Sequence, residues 1–270
     1  MRGLCQIVGM TRQNFYKGRC RRSRRQVEEE LIVQLICQER AVQPRLGGRK
    51  LLHMVRGELA KAGVSIGRDR FFELLGKHGL LIERTVRLVR TTNSRHSFRV
   101  YANLLKDRPP TGPHRVLVSD ITYIRTKEGF LYLCLVMDAF SRAIVGFDCS
   151  DTLEREGALR ALGRALKQLP AGSETIHHSD RGSQYCCHEY VDRLEESGVA
   201  ISMTQENHCY ENSQAERLNG ILKQEYGLGG EFVGKSEARQ AVSEAVGLYN
   251  YRRPHQSLGY ATPMQVHAAA

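Results

Sequence analysis

Apolar positions recur along this chain with two different periods, and the period changes near residue 113. Before that point the spacing is helical. Residues 4–17 read as a short helical pair broken at Gly9, with Thr11 as a candidate N-cap. A basic run, GRCRRSRR, follows to Arg25. A helix is expected over 27–42, with Val27, Leu31, Leu35 and Ile36 on one face, ended by Pro44 and the Gly47–Gly48 pair. A second helix, 50–62, aligns Leu51, Leu52, Val55 and Leu59, and Gly63 suits the position just past its end. A third, 68–78, turns Phe71, Phe72, Leu74 and Leu75 inward and stops at Gly79. Two short helices across a tight turn, the second opening with Arg68 and Arg70, match helix-turn-helix geometry; a plain three-helix bundle with a basic surface fits the same pattern. Residues 85–112 read as an extended basic linker that ends in the PPTGP cluster.

From His114 the texture is that of strands. RVLVSDITYI alternates apolar and polar positions, and FLYLCLVMDAF reads as a buried strand. SRAIVGFDCS is a third strand, reached by a tight turn near Ala139 to Arg142. A helix over 153–169 points Leu159, Leu162 and Leu166 inward. TIHHSD and AISMT are short strands on either side of a helix over 184–197, and helices over 212–226 and 236–251 close the pattern. Three successive strands, then alternating helix and strand, predict an α/β (α+β) unit. Its mixed five-stranded sheet contains an antiparallel ribbon and has helices on both faces. The chain thus divides into a short helical and basic segment (1–25), a helix-turn-helix region (26–84), a basic linker (85–112), an α/β core (113–252) and a tail (253–270).

Composition narrows the class. Of 270 residues, 41% are hydrophobic and 26% charged, and no apolar run approaches the ~20 residues a bilayer span needs. The N-terminal residues lack an apolar secretion signal, and the eight cysteines form no CxxC pair. A cytoplasmic protein with reduced thiols is expected. The net charge of +11 is uneven: residues 1–110 hold 24 basic and 9 acidic side chains, and the remainder is mildly anionic. A cationic half points to a polyanion, because neutralising phosphates releases counterions. A mildly acidic half suits a domain that commits carboxylates to metal.

Three acidic residues stand out. Asp120 lies mid-strand, sharing a face with Val116, Val118, Thr122 and Ile124, so an arginine or a metal ion must meet it. Asp180 ends the TIHHSD strand at a sheet edge of the kind where α/β folds build sites. Glu216 shares a helical face with Asn219 and Lys223. Two strand-borne Asp and a helix-borne Glu are hard oxygen donors that suit Mg²⁺, and a pair of such ions suits phosphodiester displacement.

SDITYI, HHSDRGSQY and ENSQAERLNGILKQEY resemble the DDE signature of retroviral-type integrases and transposases, with 35 residues between Asp180 and Glu216. The closing YNYRRPHQSLGYATPMQVH and the upstream PRLGGRKLL resemble the second-frame (OrfB) transposase of the bacterial insertion sequence three family. The resemblance implies an RNase H-like core and catalytic and metal-binding roles for Asp120, Asp180 and Glu216. It also implies two Mg²⁺ ions, with Mn²⁺ as a substitute. The activity implied is DNA transposition: hydrolysis at element ends, then 3′-OH strand transfer. DNA, a homo-oligomer on DNA and a first-frame (OrfA) partner or fusion are the implied partners, in the bacterial cytosol at the nucleoid. Arg68, Arg70, Arg90, Arg95, Arg217, Lys223, Arg252 and Arg253 are the candidate DNA contacts.

The sequence departs from the family at Leu117, where tryptophan is common, and at Glu211, a rival third ligand 31 residues after Asp180. Asp138 and Asp148 are expected to be structural, and Glu225, on the helical face opposite Glu216, is not expected to be a ligand. His177 and His178 are expected to pack the strand or to support Asp180, and the His and Cys spacing fits no common zinc site. An RNase H-type nuclease and a non-catalytic DNA-binding modulator of transposition are the alternatives.

Overall fold

The computed structural model describes residues 7, 9–82, 98–105, 109–205 and 212–269. They fall into two compact units, divided between residues 83 and 84. Most of the expected helix over 4–9 and most of the linker, with Arg90, Arg95 and Glu211, lie outside the described residues.

The first unit is helical. Helix α1 runs unbroken from Arg12 to Val42, capped by the Thr11 hydroxyl, which accepts from the Asn14 amide at 3.2 Å. The basic run is therefore part of a helix and not a joint between two. Arginine is a good helix former, and no Pro interrupts residues 12–42. Only its C-terminal half is packed: Ile32 and Ile36 meet Leu51, Leu52, Val55 and Leu59 of α2 (Gly48–Lys61) and Phe71, Leu74 and Leu75 of α3 (Arg68–Lys77). Gly48 opens α2 instead of ending α1, because a Cβ there would lie 2.8 Å from the Phe72 ring.

The second unit is built on a mixed sheet of order β3-β2-β1-β4-β5. Strands β1 (Val116–Thr126), β2 (Gly129–Asp138) and β3 (Ile144–Ser150) are antiparallel, while β4 (Ile176–Ser179) and β5 (Ala200–Met203) run parallel to β1. A sixth strand, β6 (Glu231–Phe232), adds to the far end of β1. Its two residues are too few to leave a periodic trace in the sequence. The expected helix over 184–197 is two, α5 (Ser183–Cys186) and α6 (His188–Glu196), because Cys187 is extended. The described end of the linker belongs to this unit. Tyr101 and Leu105 pack on its two cores, and the Leu104 amide donates to Ser202 Oγ at 2.9 Å.

Alternation along β1 splits the core in two. Leu117 and Ile121 face α4 (Arg155–Leu166) and α6. Val116, Val118 and Ile124 face α7 (Ser213–Glu225) and α8 (Lys235–Tyr251). Helix α4 approaches β3 so closely that a Cβ on Gly146 would stand 2.2 Å from the Ala161 carbonyl oxygen. Gly146→Ala is expected to cost about 2–3 kcal/mol in urea unfolding, since backbone and not a movable side chain is in the way. Unchanged stability would show that α4 retreats freely. Beyond α8, a 3₁₀ turn (Gln256–Leu258) leads to α9 (Pro263–Ala268), where His267 Nδ1 meets Ser141 Oγ at 3.0 Å. No helix among the described residues is long and apolar enough to cross a membrane.

Candidate active site

Asp120 sits where β1 leaves the β4 pairing, which ends at Val118. The strand's free edge there is met by α7, not by another strand. The Asp120 carboxylate accepts from the Ile121 amide at 2.8 Å and from Asn219 Nδ2 at 2.7 Å. Helix α7 is anchored for this by its N-cap, Asn212, whose side-chain amide donates to the Ser119 carbonyl at 3.1 Å. Three positions before Asn219, Glu216 lies in the first turn of the same helix, near the positive end of its dipole. Asp180 follows directly on β4, and its Oδ1 accepts from the Gly182 amide at 2.9 Å as the chain turns into α5.

The electrostatics join the three. Burial pushes the Asp120 carboxyl up to about 7, and the charges of Asp180 and Glu216 push the same way against the two hydrogen bonds. Glu216 is raised by desolvation and by Asp180. Among the described residues no Arg or Lys forms an ion pair with Asp120. Lys223 is near enough to feel its charge, yet its ammonium lies 4.3 Å above the Tyr123 ring. Nor are any three His, Cys, Asp or Glu side chains among the described residues closed around the space of one ion.

Beneath the carboxylates lies a neutral polar layer. His177 Nε2 is 2.7 Å from Ser119 Oγ and 3.0 Å from the Tyr190 hydroxyl, and burial lowers its titration to about 3. His178 Nδ1 meets Ser202 Oγ at 2.8 Å. Both imidazoles are buried, so they pack the strand and do not reach solvent. Asp138 accepts from the Ser141 amide and hydroxyl and the His114 amide, while Asp148 pairs with Arg160 at 2.8 Å and Arg164 at 3.4 Å, structural roles for both.

The expected DNA contacts divide. Arg68 and Arg70 are exposed in the first turn of α3, where Arg68 pairs with Asp69 at 2.7 Å and Arg70 reaches Glu29 at 4.0 Å. Arg217 and Arg252 are exposed. Arg253 is a correction: it is 5% exposed and bidentate to Glu225, at 2.8 and 3.0 Å, and so is a core ion pair and no surface contact. Adjacency to Arg252 in a basic sequence concealed this, because the chain turns inward after α8. Asn212 and Ser119 were not singled out in the sequence, where an N-cap amide and a strand serine carry no distinctive pattern.

Integrase core domain models match residues 110–209 and 197–263. The chain is 34% identical over 264 residues to the 31 kDa protein of insertion element IS600 from Shigella sonnei, covering 96% of each. It is 29% identical to the transposase InsF of insertion sequence IS3A from Escherichia coli strain K12, covering 98% of this chain and 93% of the relative. Among solved structures, the simian T-cell lymphotropic virus intasome in complex with PP2A regulatory subunit B56 gamma aligns over 82% of this chain and 70% of that one. The TM-score is 0.51 at 18% identity, a likeness of fold. The sheet order and flanking helices are those of an RNase H-like integrase core. With that core and a similarity that runs nearly end to end, the chain belongs to the insertion sequence three family of DDE transposases.

Proposed function

We propose that Asp120, Asp180 and Glu216 are the catalytic carboxylates of this transposase and hold two divalent ions, Mg²⁺ or in its place Mn²⁺. The observation that carries the reading is the mutual charge of three carboxylates from β1, the end of β4 and α7. Asp180 raises the protonation of both Asp120 and Glu216, Glu216 raises that of Asp120, and among the described residues no Arg or Lys forms an ion pair with Asp120. The donor set fits the ions: all are carboxylate oxygens, the hard donors that divalent cations such as Mg²⁺ take. When bound, such ions supply activation of the attacking oxygen and charge stabilisation of the leaving one in an in-line displacement.

The protein's own residues supply position. Asn219 fixes one oxygen of Asp120, leaving the carboxylate no freedom to rotate away. Asn212 sets the start of α7 against β1 and so sets the reach of Glu216. Gly182 orients Asp180 through its amide. The same site serves water in the nicking step and the freed DNA 3′-OH in strand transfer, because both are oxygen nucleophiles attacking phosphorus.

Arg68 and Arg70 at the start of α3 suit the recognition helix of a helix-turn-helix, Arg217 and Lys223 suit phosphates beside the catalytic carboxylates, and Arg252, exposed past α8, suits DNA at the C-terminal end of the core. Two element ends must be held at once, which favours a homo-oligomer on DNA with a first-frame partner or fusion, acting in the cytosol at the nucleoid. The test is a strand-transfer assay with oligonucleotides copying the element ends. Metal-dependent nicking followed by joined product is expected. Nicking without joining would reassign the chain as an RNase H-type nuclease, and binding without either would leave it a modulator.

A further inference from the structure

The far end of the β1–β2 hairpin carries an aromatic surface that the carboxylate site does not use. Phe130, at the start of β2, is 50% exposed. Its ring meets Tyr123 edge to face, with centroids 5.5 Å apart and planes at 87°. Arg125 stands directly opposite Phe130 in the strand register. From α7, Lys223 sets its ammonium 4.3 Å from the Tyr123 ring centroid. Lys223 also feels the charges of both Arg125 and Asp120, so these rings and cations adjoin the catalytic carboxylates.

One exposed phenylalanine is ordinary. Two rings interleaved with two cations, beside a phosphodiester site, have a more specific chemistry. Aromatic side chains stack on the faces of bases, and cations pair with the intervening phosphates. In a duplex those base faces are covered by neighbouring base pairs. An unpaired nucleotide offers its base faces together with a phosphate that can swing to the cations, whereas the last pair of a blunt end offers one face whose phosphates are held in the helix. A purely apolar partner would leave Arg125 and Lys223 desolvated without a counter-charge.

We propose that Tyr123, Arg125, Phe130 and Lys223 form a platform that stacks unpaired nucleotides at the DNA end and steers the adjoining phosphate toward the catalytic carboxylates. The proposal rests on the transposase reading of the site and adds the form of DNA it takes: a frayed end rather than a closed duplex.

The chain has no tryptophan, so Phe130→Trp places a single indole on the platform. The full-length variant is titrated, without divalent metal, with an element-end duplex that is either fully paired or carries three unpaired terminal nucleotides. Strong quenching of indole fluorescence is expected with the frayed end and weak quenching with the blunt one. Phe130→Ala and Tyr123→Ala are expected to weaken frayed-end binding by about 5- to 100-fold per lost stack, with blunt-duplex affinity held within about twofold. Phe130→Tyr should restore it. Binding of both DNAs with equal quenching and equal affinities overturns the platform while leaving the transposase reading intact. So does a change of oligomeric state in Phe130→Ala without a change in frayed-end affinity, which would make this face an interface between copies. Binding of neither DNA would remove both readings together.

Discussion

Asp120→Asn is expected to lower element-end nicking and strand transfer by about 10³-fold or more while DNA affinity stays within about threefold. Asparagine keeps the size and the hydrogen bond from the Ile121 amide, and the Asn219 amide can turn its unpartnered Oδ1 to accept from the new Nδ2, so the loss reflects chiefly the charge. Asp180→Asn and Glu216→Gln should behave alike, because a site that needs three anionic donors fails when any one is neutral. The effect on stability has the opposite sign. Asp120 titrates near 7 in the folded chain, chiefly through burial and then through Asp180, against about 4 in an unfolded one. Between those values the folded chain keeps a proton that the unfolded chain has released. The metal-free fold therefore loses stability as pH rises through that window, and the penalty is absent below about pH 4.

Asparagine has no such proton. Above pH 7 the metal-free variant should be more stable than the parent by about 1–2 kcal/mol, a gain of several degrees in melting temperature. Added Mg²⁺ should raise the melting temperature of the parent, by relieving the repulsion among the carboxylates, and that of the variant far less. Scanning fluorimetry at pH 5 and pH 8, with and without MgCl₂, reads all of this. Parent-like activity in any of the three variants would sink the assignment.

Arg253→Ala should be the most damaging single change outside the site. Its guanidinium is buried, bidentate to Glu225 and 2.6 Å from His255 Nε2, with the Tyr249 ring 5.7 Å away. Removing it takes two charge-assisted hydrogen bonds from the partly buried Glu225 carboxylate and leaves a cavity where the guanidinium lay. A loss of about 3–5 kcal/mol is expected in urea unfolding, with a fall of about 6–20 °C in melting temperature. Lysine should not rescue, because a point charge cannot make both contacts. The double change Arg253→Met with Glu225→Leu should recover most of the loss, since the pair is then removed together. DNA affinity per folded molecule should be unaffected throughout. If stability held and DNA affinity fell, Arg253 would return to the surface contacts.

Most of the order of helices and strands and the alternation of β1 were legible in the chain, and Asp120, Asp180 and Glu216 stand out in it as candidates. Each is local: a strand that buries one face must alternate, a helix must repeat near 3.6, and an acid at an apolar strand position signals an unusual partner. The DDE motifs were legible for the same reason, since each is a short run around one residue. Sequence also showed where charge accumulates, because charge is additive.

Only the folded chain decided which charges are buried. Arg252 and Arg253 are neighbours in sequence, yet one faces solvent and the other is buried on Glu225 of a different helix. The basic run of α1 became continuous helix because nothing in the run breaks one, although its first half packs on little. Likewise, Asn212 and Asn219 gained their roles through contacts 93 and 99 residues away in β1. Such partners are set by how strands and helices stack, and stacking depends on every layer at once. Local pattern therefore predicts what a residue can do, and three-dimensional packing selects which of those things it does.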